Sequence, residues 1–162
     1  MKALIPLAMS VLIISTGVAA QPATDELDRG RYLIEVGGCN DCHTPGYSQS
    51  MGKTAEQDWL LGSDVGFAGP WGVSYAANLR LTADAMTLQQ WLDRISAGGL
   101  PPMPWPALQA MTEKDKSALF HYIRDLGAKG NASPAALPPG AVITTPYVSL
   151  EPIFPEAVAS DR

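Results

Sequence analysis

Apolar residues recur with the spacing of an α-helix in three segments of the chain, residues 24–38, 86–99 and 111–130. In the first segment they share one face with a glycine, as Leu27, Gly30 and Ile34. In the other two they recur at i, i+3, i+4 and i+7, as Leu88, Trp91, Leu92 and Ile95, and as Leu119, Tyr122, Ile123 and Leu126. A threonine that can cap a helix stands at the start of each pattern: Thr24, Thr87 and Thr112. The pattern therefore predicts three helices.

Two long segments show no helical period. Residues 44–86 mix glycines with scattered apolar and aromatic residues, and a structureless loop of that length is unusual in a compact domain. From Asn131 onwards the chain holds six prolines, at positions 134, 138, 139, 146, 152 and 155. This tail is also too apolar to be freely solvated. We expect an extended strap, lying either on the rest of the chain or on a partner protein.

The chain begins with a segment typical of an export signal. Lys2 precedes an apolar run from Ala3 to Ile14, and small residues follow up to Ala20. A run of about a dozen apolar residues is shorter than the ~20 that a membrane-spanning helix needs. We predict a signal peptide over residues 1–20, and a periplasmic mature protein of 142 of the 162 residues without a transmembrane anchor.

The charge balance argues against a nucleic-acid partner. Loss of Lys2 with the signal leaves 10 of the 11 basic residues against 16 acidic residues, a net charge of −6. Proteins that bind nucleic acid cluster Lys and Arg against the phosphates, and the sequence holds no basic stripe. The acidic balance also disfavours long-range attraction to an acidic protein.

The two cysteines of the chain lie in "CNDCH", residues 39–43. Such a pair can form a disulfide, which is common in exported proteins, a thioredoxin-type redox pair, or half of a zinc site. A redox pair is expected between a strand and a helix, and nothing near Cys39 alternates like a strand. A zinc site needs four ligands, and beyond the motif only His121 and carboxylates remain. The spacing C-x-x-C-H favours attachment of a c-type haem.

The spacing of this motif has a chemical reason. Cys39 and Cys42 can each add to one vinyl group of the haem and form a thioether. His43 is then carried beneath the centre of the ring, where its imidazole can bind the iron. We expect its other ring nitrogen to donate to a backbone carbonyl in the following loop, which fixes the ring and raises its basicity.

Met103 is the predicted second axial ligand. It lies in "GGLPPMPWP", where the prolines forbid a regular helix and Pro104 favours an extended backbone at Met103. This stiff strap can press the thioether sulfur onto the iron from the side opposite His43. The other candidates are less suitable. Met51 lies too near the motif, Met86 and Met111 stand just before a helix start, and His121 lies off the apolar face of its helix.

These features together resemble class I monohaem cytochrome c over about residues 24–128. The resemblance rests on a first helix that runs into C-x-x-C-H, a methionine on a proline-bearing strap, and the last helix "MTEKDKSALFHYIRDLG". It implies an all-α class I cytochrome c fold, in which Gly30 of the first helix meets Tyr122 of the last. More narrowly, "GPWGVSYAANLRLTADAMT" and "PPMPW" are similar to cytochromes that accompany periplasmic alcohol and aldehyde dehydrogenases.

Two regions depart from the compact family pattern. We expect residues 44–86 to form long loops that wall in the haem, and residues 131–162 to form a Pro-rich extended C-terminal tail beyond the cytochrome domain. Within the loops, Asn78 and Arg80 could bond a haem propionate or brace the distal side of the haem, although an ordinary polar loop is the interpretation that we prefer.

The expected function follows from the two axial ligands. With His43 and Met103 bound, the iron has no open position for a substrate, and the soft thioether favours Fe(II). We therefore predict one covalent haem c, electron transfer, and no enzymatic catalysis by this chain. The resemblance implies redox partner proteins, a periplasmic dehydrogenase and a terminal oxidase or other cytochrome. Two alternatives stay open: a haem enzyme or gas sensor with an open distal position, and a structural accessory subunit.

Overall fold

The computed structural model describes residues 24–153, so the predicted signal peptide and residues 154–162 lie outside it. In chain order its elements are α1 (Thr24–Val36), α2 (Cys39–His43), β1 (Gly66–Gly69), β2 (Gly72–Tyr75), α3 (Leu79–Asp84), α4 (Leu88–Ala97), α5 (Trp105–Ala110), α6 (Glu113–Asp125) and β3 (Tyr147–Ser149). A short 3-10 turn, Glu56–Asp58, lies between α2 and β1. Within residues 24–153, no helix is both long and apolar enough to cross a membrane.

The predicted helix starts at α4 and α6 are confirmed by their caps. The Thr87 hydroxyl accepts from the Gln90 backbone N–H at 3.2 Å, and the Thr87 N–H donates to the Gln90 side chain at 2.9 Å. The Thr112 hydroxyl accepts from the Asp115 N–H at 3.1 Å. These bonds satisfy backbone donors that the first helical turn leaves unpaired.

The crossing of α1 and α6 forms the centre of the core. A Cβ built on Gly30 would lie 2.5 Å from the Cβ of Tyr122 and inside the contact distance of the Ala118 carbonyl oxygen. Only glycine permits this approach, which confirms the predicted meeting of Gly30 and Tyr122. The buried side chains around the crossing come from α1, α4, α6 and the loop before β1, and include Leu33, Ile34, Trp59, Leu60, Trp91, Ile95, Leu119 and Ile123.

The prediction of an all-α fold is wrong, because the described residues also form a three-stranded mixed sheet with the order β2-β1-β3. Strands β1 and β2 are an antiparallel hairpin that pairs Gly69 with Gly72 across the two residues Pro70 and Trp71. Gly72 has a φ of 96°, which residues other than glycine rarely adopt. Alternation over two short four-residue strands is too weak a signal to stand out within residues 44–86.

The described part of the tail lies on the rest of the chain. Strand β3 pairs with β1 in parallel, with Gly66 opposite Tyr147 and Ala68 opposite Ser149. Leu137 exchanges two backbone hydrogen bonds of 2.9 Å with Val73 of β2. Backbone groups of the tail thus form hydrogen bonds with the hairpin. In a freely solvated tail the same groups would bind water.

Candidate functional site

The C-x-x-C-H motif forms α2, directly after α1. The Gly37 N–H donates to the Leu33 carbonyl at the end of α1, and Gly38, with a φ of 66°, turns the chain into α2. The right-handed turn of α2 then carries His43 into the protein, where it is 7% exposed. The position of the motif therefore depends on α1 and on its packing against α6.

Two backbone contacts hold His43. Its Nδ1–H donates to the Ala77 carbonyl oxygen at 2.7 Å, and its own carbonyl accepts from the Gly62 N–H at 2.8 Å. Burial lowers the pKa of His43, while the bond to Ala77 opposes that shift. The ring is thus neutral near pH 7 with its proton on Nδ1, which leaves Nε2 as the nitrogen available to a metal.

A buried polar pair supports the floor of this motif. The Thr44 hydroxyl donates to Asn40 Oδ1 at 2.7 Å and accepts from the Leu60 N–H at 2.7 Å. Both side chains are almost fully buried. Sequence reasoning missed Asn40 and Thr44, because a polar residue beside a motif carries no sign of whether it faces inwards.

Cys39 is partly buried and Cys42 is exposed, and the two do not form a disulfide with each other. Burial raises the pKa of Cys39 to about 11 and also raises that of Cys42. Thioredoxin-type cysteines need a lowered pKa, because the thiolate is the reactive species. This environment disfavours the redox-pair interpretation. Within residues 24–153, His, Cys, Asp and Glu side chains form no group of three or more that could hold a metal ion.

Both cysteines, His43 and Met103 line one cavity of about 590 Å³. That volume lies within the range of protein sites for cofactors and other small molecules. Most of the lining is apolar and comes from all six helices and from strands β1 and β2, including Ile34, Phe67, Leu79, Trp91, Ile95, Leu119 and Ile123. The cavity suits a large apolar group that reaches the thiols, the imidazole and the thioether together, which fits a covalent haem.

Met103 lies on a strap that two contacts fix. The Ser74 hydroxyl of β2 donates to the Pro101 carbonyl, and the Met103 carbonyl accepts from the Trp105 N–H at 2.8 Å. Contrary to the expectation that the prolines forbid a helix, α5 begins at Trp105 and includes Pro106. Proline is tolerated in a first helical turn because its missing N–H would have no partner there.

The other ligand candidates separate in the structure. Met51 is 79% exposed, and Met111 packs against the core without lining the cavity. His121 places its Nε2 3.9 Å from Glu26 Oε1 and does not line the cavity either. Met86 does line it while packing against the core. Two methionines, Met103 and Met86, therefore reach the space that the motif faces.

Asn78 and Arg80 bind backbone instead of lining this cavity. Arg80 donates to the carbonyls of Gln57, Leu126 and Gly127, and so ties α3 to the end of α6. Asn78 caps α3 by accepting from the Leu81 N–H at 3.1 Å. The structure corrects the expectation of an ordinary polar loop, because Arg80 lies on α3 and both side chains are buried.

Arg94 is the arginine that lines the cavity, and sequence reasoning missed it. Its guanidinium lies over the Trp105 ring, 4.7 Å from the centroid, and donates to the Gly98 carbonyl. The signal was available in the sequence, because Arg94 follows Trp91 by three residues and so shares part of its helix face.

Comparison with known proteins finds a relative that is a cytochrome subunit of a dehydrogenase. The chain is 34% identical, over 132 residues, to the gluconate 2-dehydrogenase cytochrome c subunit of Pantoea cypripedii. The match covers 68% of this chain and 29% of the relative, so the chain spans less than a third of the relative's length. No family model matches the chain, and no solved structure matches it.

Proposed function

We propose that this chain is a periplasmic electron carrier that holds one c-type haem in the cavity of about 590 Å³. The observation that carries the proposal is that Cys39, Cys42, His43 and Met103 all line that single cavity. The bound haem would supply a one-electron Fe(III)/Fe(II) couple. The protein would supply the attachment, the axial ligands and the apolar surroundings that set the potential.

Each cavity residue has a distinct role in this proposal. Cys39 and Cys42 would attach the haem through thioethers, and His43 and Met103 would bind its iron. The Ala77 carbonyl orients the imidazole, at 2.7 Å from Nδ1. Arg94 is the cation in the lining that can pair with a propionate carboxylate.

The proposed donor is a dehydrogenase, and the acceptor a terminal oxidase or another cytochrome. The donor rests on the name of the relative, a cytochrome c subunit of a dehydrogenase, and the acceptor on the sequence resemblance. The periplasmic location rests on the signal-like residues 1–20. With both axial positions filled, the chain would carry electrons and leave the chemistry of the substrate to its partner.

A test for covalent haem decides this proposal. The full chain is expressed with a c-type haem maturation system, and the mature protein is run on a denaturing gel that is stained for haem. We expect the stain to follow the polypeptide and to survive acid-acetone extraction. Replacing both Cys39 and Cys42 with Ala should abolish it, whereas Met51→Ala, at an exposed position, should not. Haem that leaves the wild-type chain freely would refute the proposal.

The reduced wild-type protein should also fail to bind CO. Ready binding of CO would indicate an open iron position and would support the alternative of a haem enzyme or gas sensor.

A further inference from the structure

The carbonyl that orients His43 belongs to a peptide that is held on both sides by the start of the C-terminal tail. The residue before it, Ala76, accepts at its carbonyl from the Ser133 hydroxyl at 2.7 Å. The residue after it, Asn78, donates from Nδ2 to the carbonyls of Lys129, at 2.8 Å, and Asn131, at 3.1 Å. The Ala77 carbonyl lies between these two anchors.

Gly62 connects the same group to His43 by a second route. Its N–H donates to the His43 carbonyl at 2.8 Å. A Cβ built on Gly62 would lie 2.6 Å from the Asn78 backbone nitrogen and inside the contact distance of the Ser133 hydroxyl. The absence of a side chain at Gly62, which has a φ of 81°, lets Ser133 reach this position.

We propose that Ser133 and Asn78 are positioning residues for the axial histidine, and that through them the tail tunes the reduction potential. We call the Ser133 hydroxyl and the Lys129 and Asn131 carbonyls the tail clamp. The clamp fixes the Ala77 carbonyl and so keeps the Nδ1–H···O bond short. This inference rests on the proposed function, because the potential belongs to the bound haem.

The direction of the effect follows from the chemistry of the ligand. A strong bond from Nδ1–H to a carbonyl makes Nε2 more basic, and a more basic ligand favours Fe(III). Loosening the clamp should lengthen that bond, lower the basicity of His43 and favour Fe(II). The potential should therefore rise when either anchor is lost.

The experiment is a potentiometric titration of the full-length haem-loaded protein. Ser133→Ala removes one anchor without a change in charge, and Asn78→Ser keeps a capping oxygen for α3 while removing the amide donor. We expect each to raise the ratio of reduced to oxidised protein about threefold at the wild-type midpoint, or about 28 mV for one electron. Direct loss of a ligand's hydrogen-bond partner has larger effects, typically 10–100-fold in affinity or activity.

Two further variants and one further measurement separate positioning from general stabilisation. Ser149→Ala changes an exposed serine of the same tail and should leave the potential unchanged. Ser133→Thr keeps a hydroxyl and should retain the wild-type potential, unlike Ser133→Ala. In the NMR spectrum, the His43 Nδ1 proton should exchange faster in Ser133→Ala and in Asn78→Ser.

The outcomes of these measurements are distinct. Loss of thermal stability with a wild-type potential and a wild-type exchange rate, in both Ser133→Ala and Asn78→Ser, would overturn the clamp. A wild-type protein without covalent haem would instead refute the proposed function. If Ser133→Ala does not fold, Asn78→Ser decides the question by the same two readouts.

Discussion

Replacing Gly30 with Ala should destabilise the protein, although alanine is the better helix former. Gain of helix propensity alone would add about 1 kcal/mol to the free energy of unfolding. In the structure, however, the new Cβ would lie 2.5 Å from the Tyr122 Cβ and 2.9 Å from the Ala118 carbonyl carbon. Carbon atoms in ordinary contact are about 3.5 Å apart, so α1 must move from α6 by about 1 Å.

The size of the loss follows from that displacement. Overpacking a core costs about 1–3 kcal/mol, and a clash with backbone falls at the upper end because a carbonyl cannot rotate away as a side chain can. After the gain in propensity is subtracted, the net loss is about 2 kcal/mol. For a chain of this length that corresponds to a melting temperature lower by about 4–8 °C.

The assay is thermal unfolding followed by circular dichroism. Val36→Ala provides the control, because it places the same residue in the same helix at a position that is 60% exposed, and it should stay within about 0.5 kcal/mol. Because α2 follows α1 directly, Gly30→Ala should also lower the fraction of chains that carry covalent haem. A melting temperature equal to or above that of the wild type would refute the close approach of α1 and α6.

Three further predictions concern the axial ligand, pH and docking. Met103→Ala should lower the potential, abolish the sulfur-to-iron charge-transfer band of the oxidised protein and let CO bind the reduced protein. Met86→Ala should leave all three properties nearly unchanged, and the reverse result would assign the ligand to Met86. The hydrogen bond from Arg29 lowers the pKa of the Asp115 carboxyl. The contribution of this ion pair to stability is therefore present above about pH 4 and is lost as pH falls through the lowered pKa. Unfolding between about pH 5 and pH 2 should therefore show a smaller loss of stability for Asp115→Asn than for the wild type, and equal losses would contradict the ion pair. Reduction by a dehydrogenase partner should change little as salt rises past ~0.1 M, because residues 98–106 around Met103 carry no charged side chain and we expect docking through this apolar segment. A steep fall in rate would instead indicate a basic partner.

The three helices with an apolar period, α1, α4 and α6, could be predicted because each is specified by local sequence. The apolar spacing of α4 and the Thr87–Gln90 capping box lie within one stretch of the chain, and the structure contains both cap bonds. The C-x-x-C-H motif is local in the same sense, since its chemistry depends on the spacing of its own residues. Met103 could be proposed because its neighbouring prolines restrict the backbone.

The sheet and the support of His43 could not be predicted, because they depend on backbone groups far apart in the chain. Strand β3 pairs with β1 from about eighty residues away, Tyr147 opposite Gly66, and the histidine finds its acceptor at Ala77. Any residue supplies a backbone carbonyl, so the sequence does not mark which one will be used. Arg94 is an intermediate case, since its helix face was predictable and its contact with the cavity was not.

The tail links these long-range features to the site. Its first part anchors the peptide that orients His43, and Pro134 and Ala136 line the cavity itself. Its next part pairs with the hairpin whose Ser74 hydroxyl holds the Pro101 carbonyl of the methionine strap. One continuous segment therefore contacts the supports of both proposed axial ligands. A change in how the tail lies on the protein would therefore act on the supports of both proposed axial ligands at once.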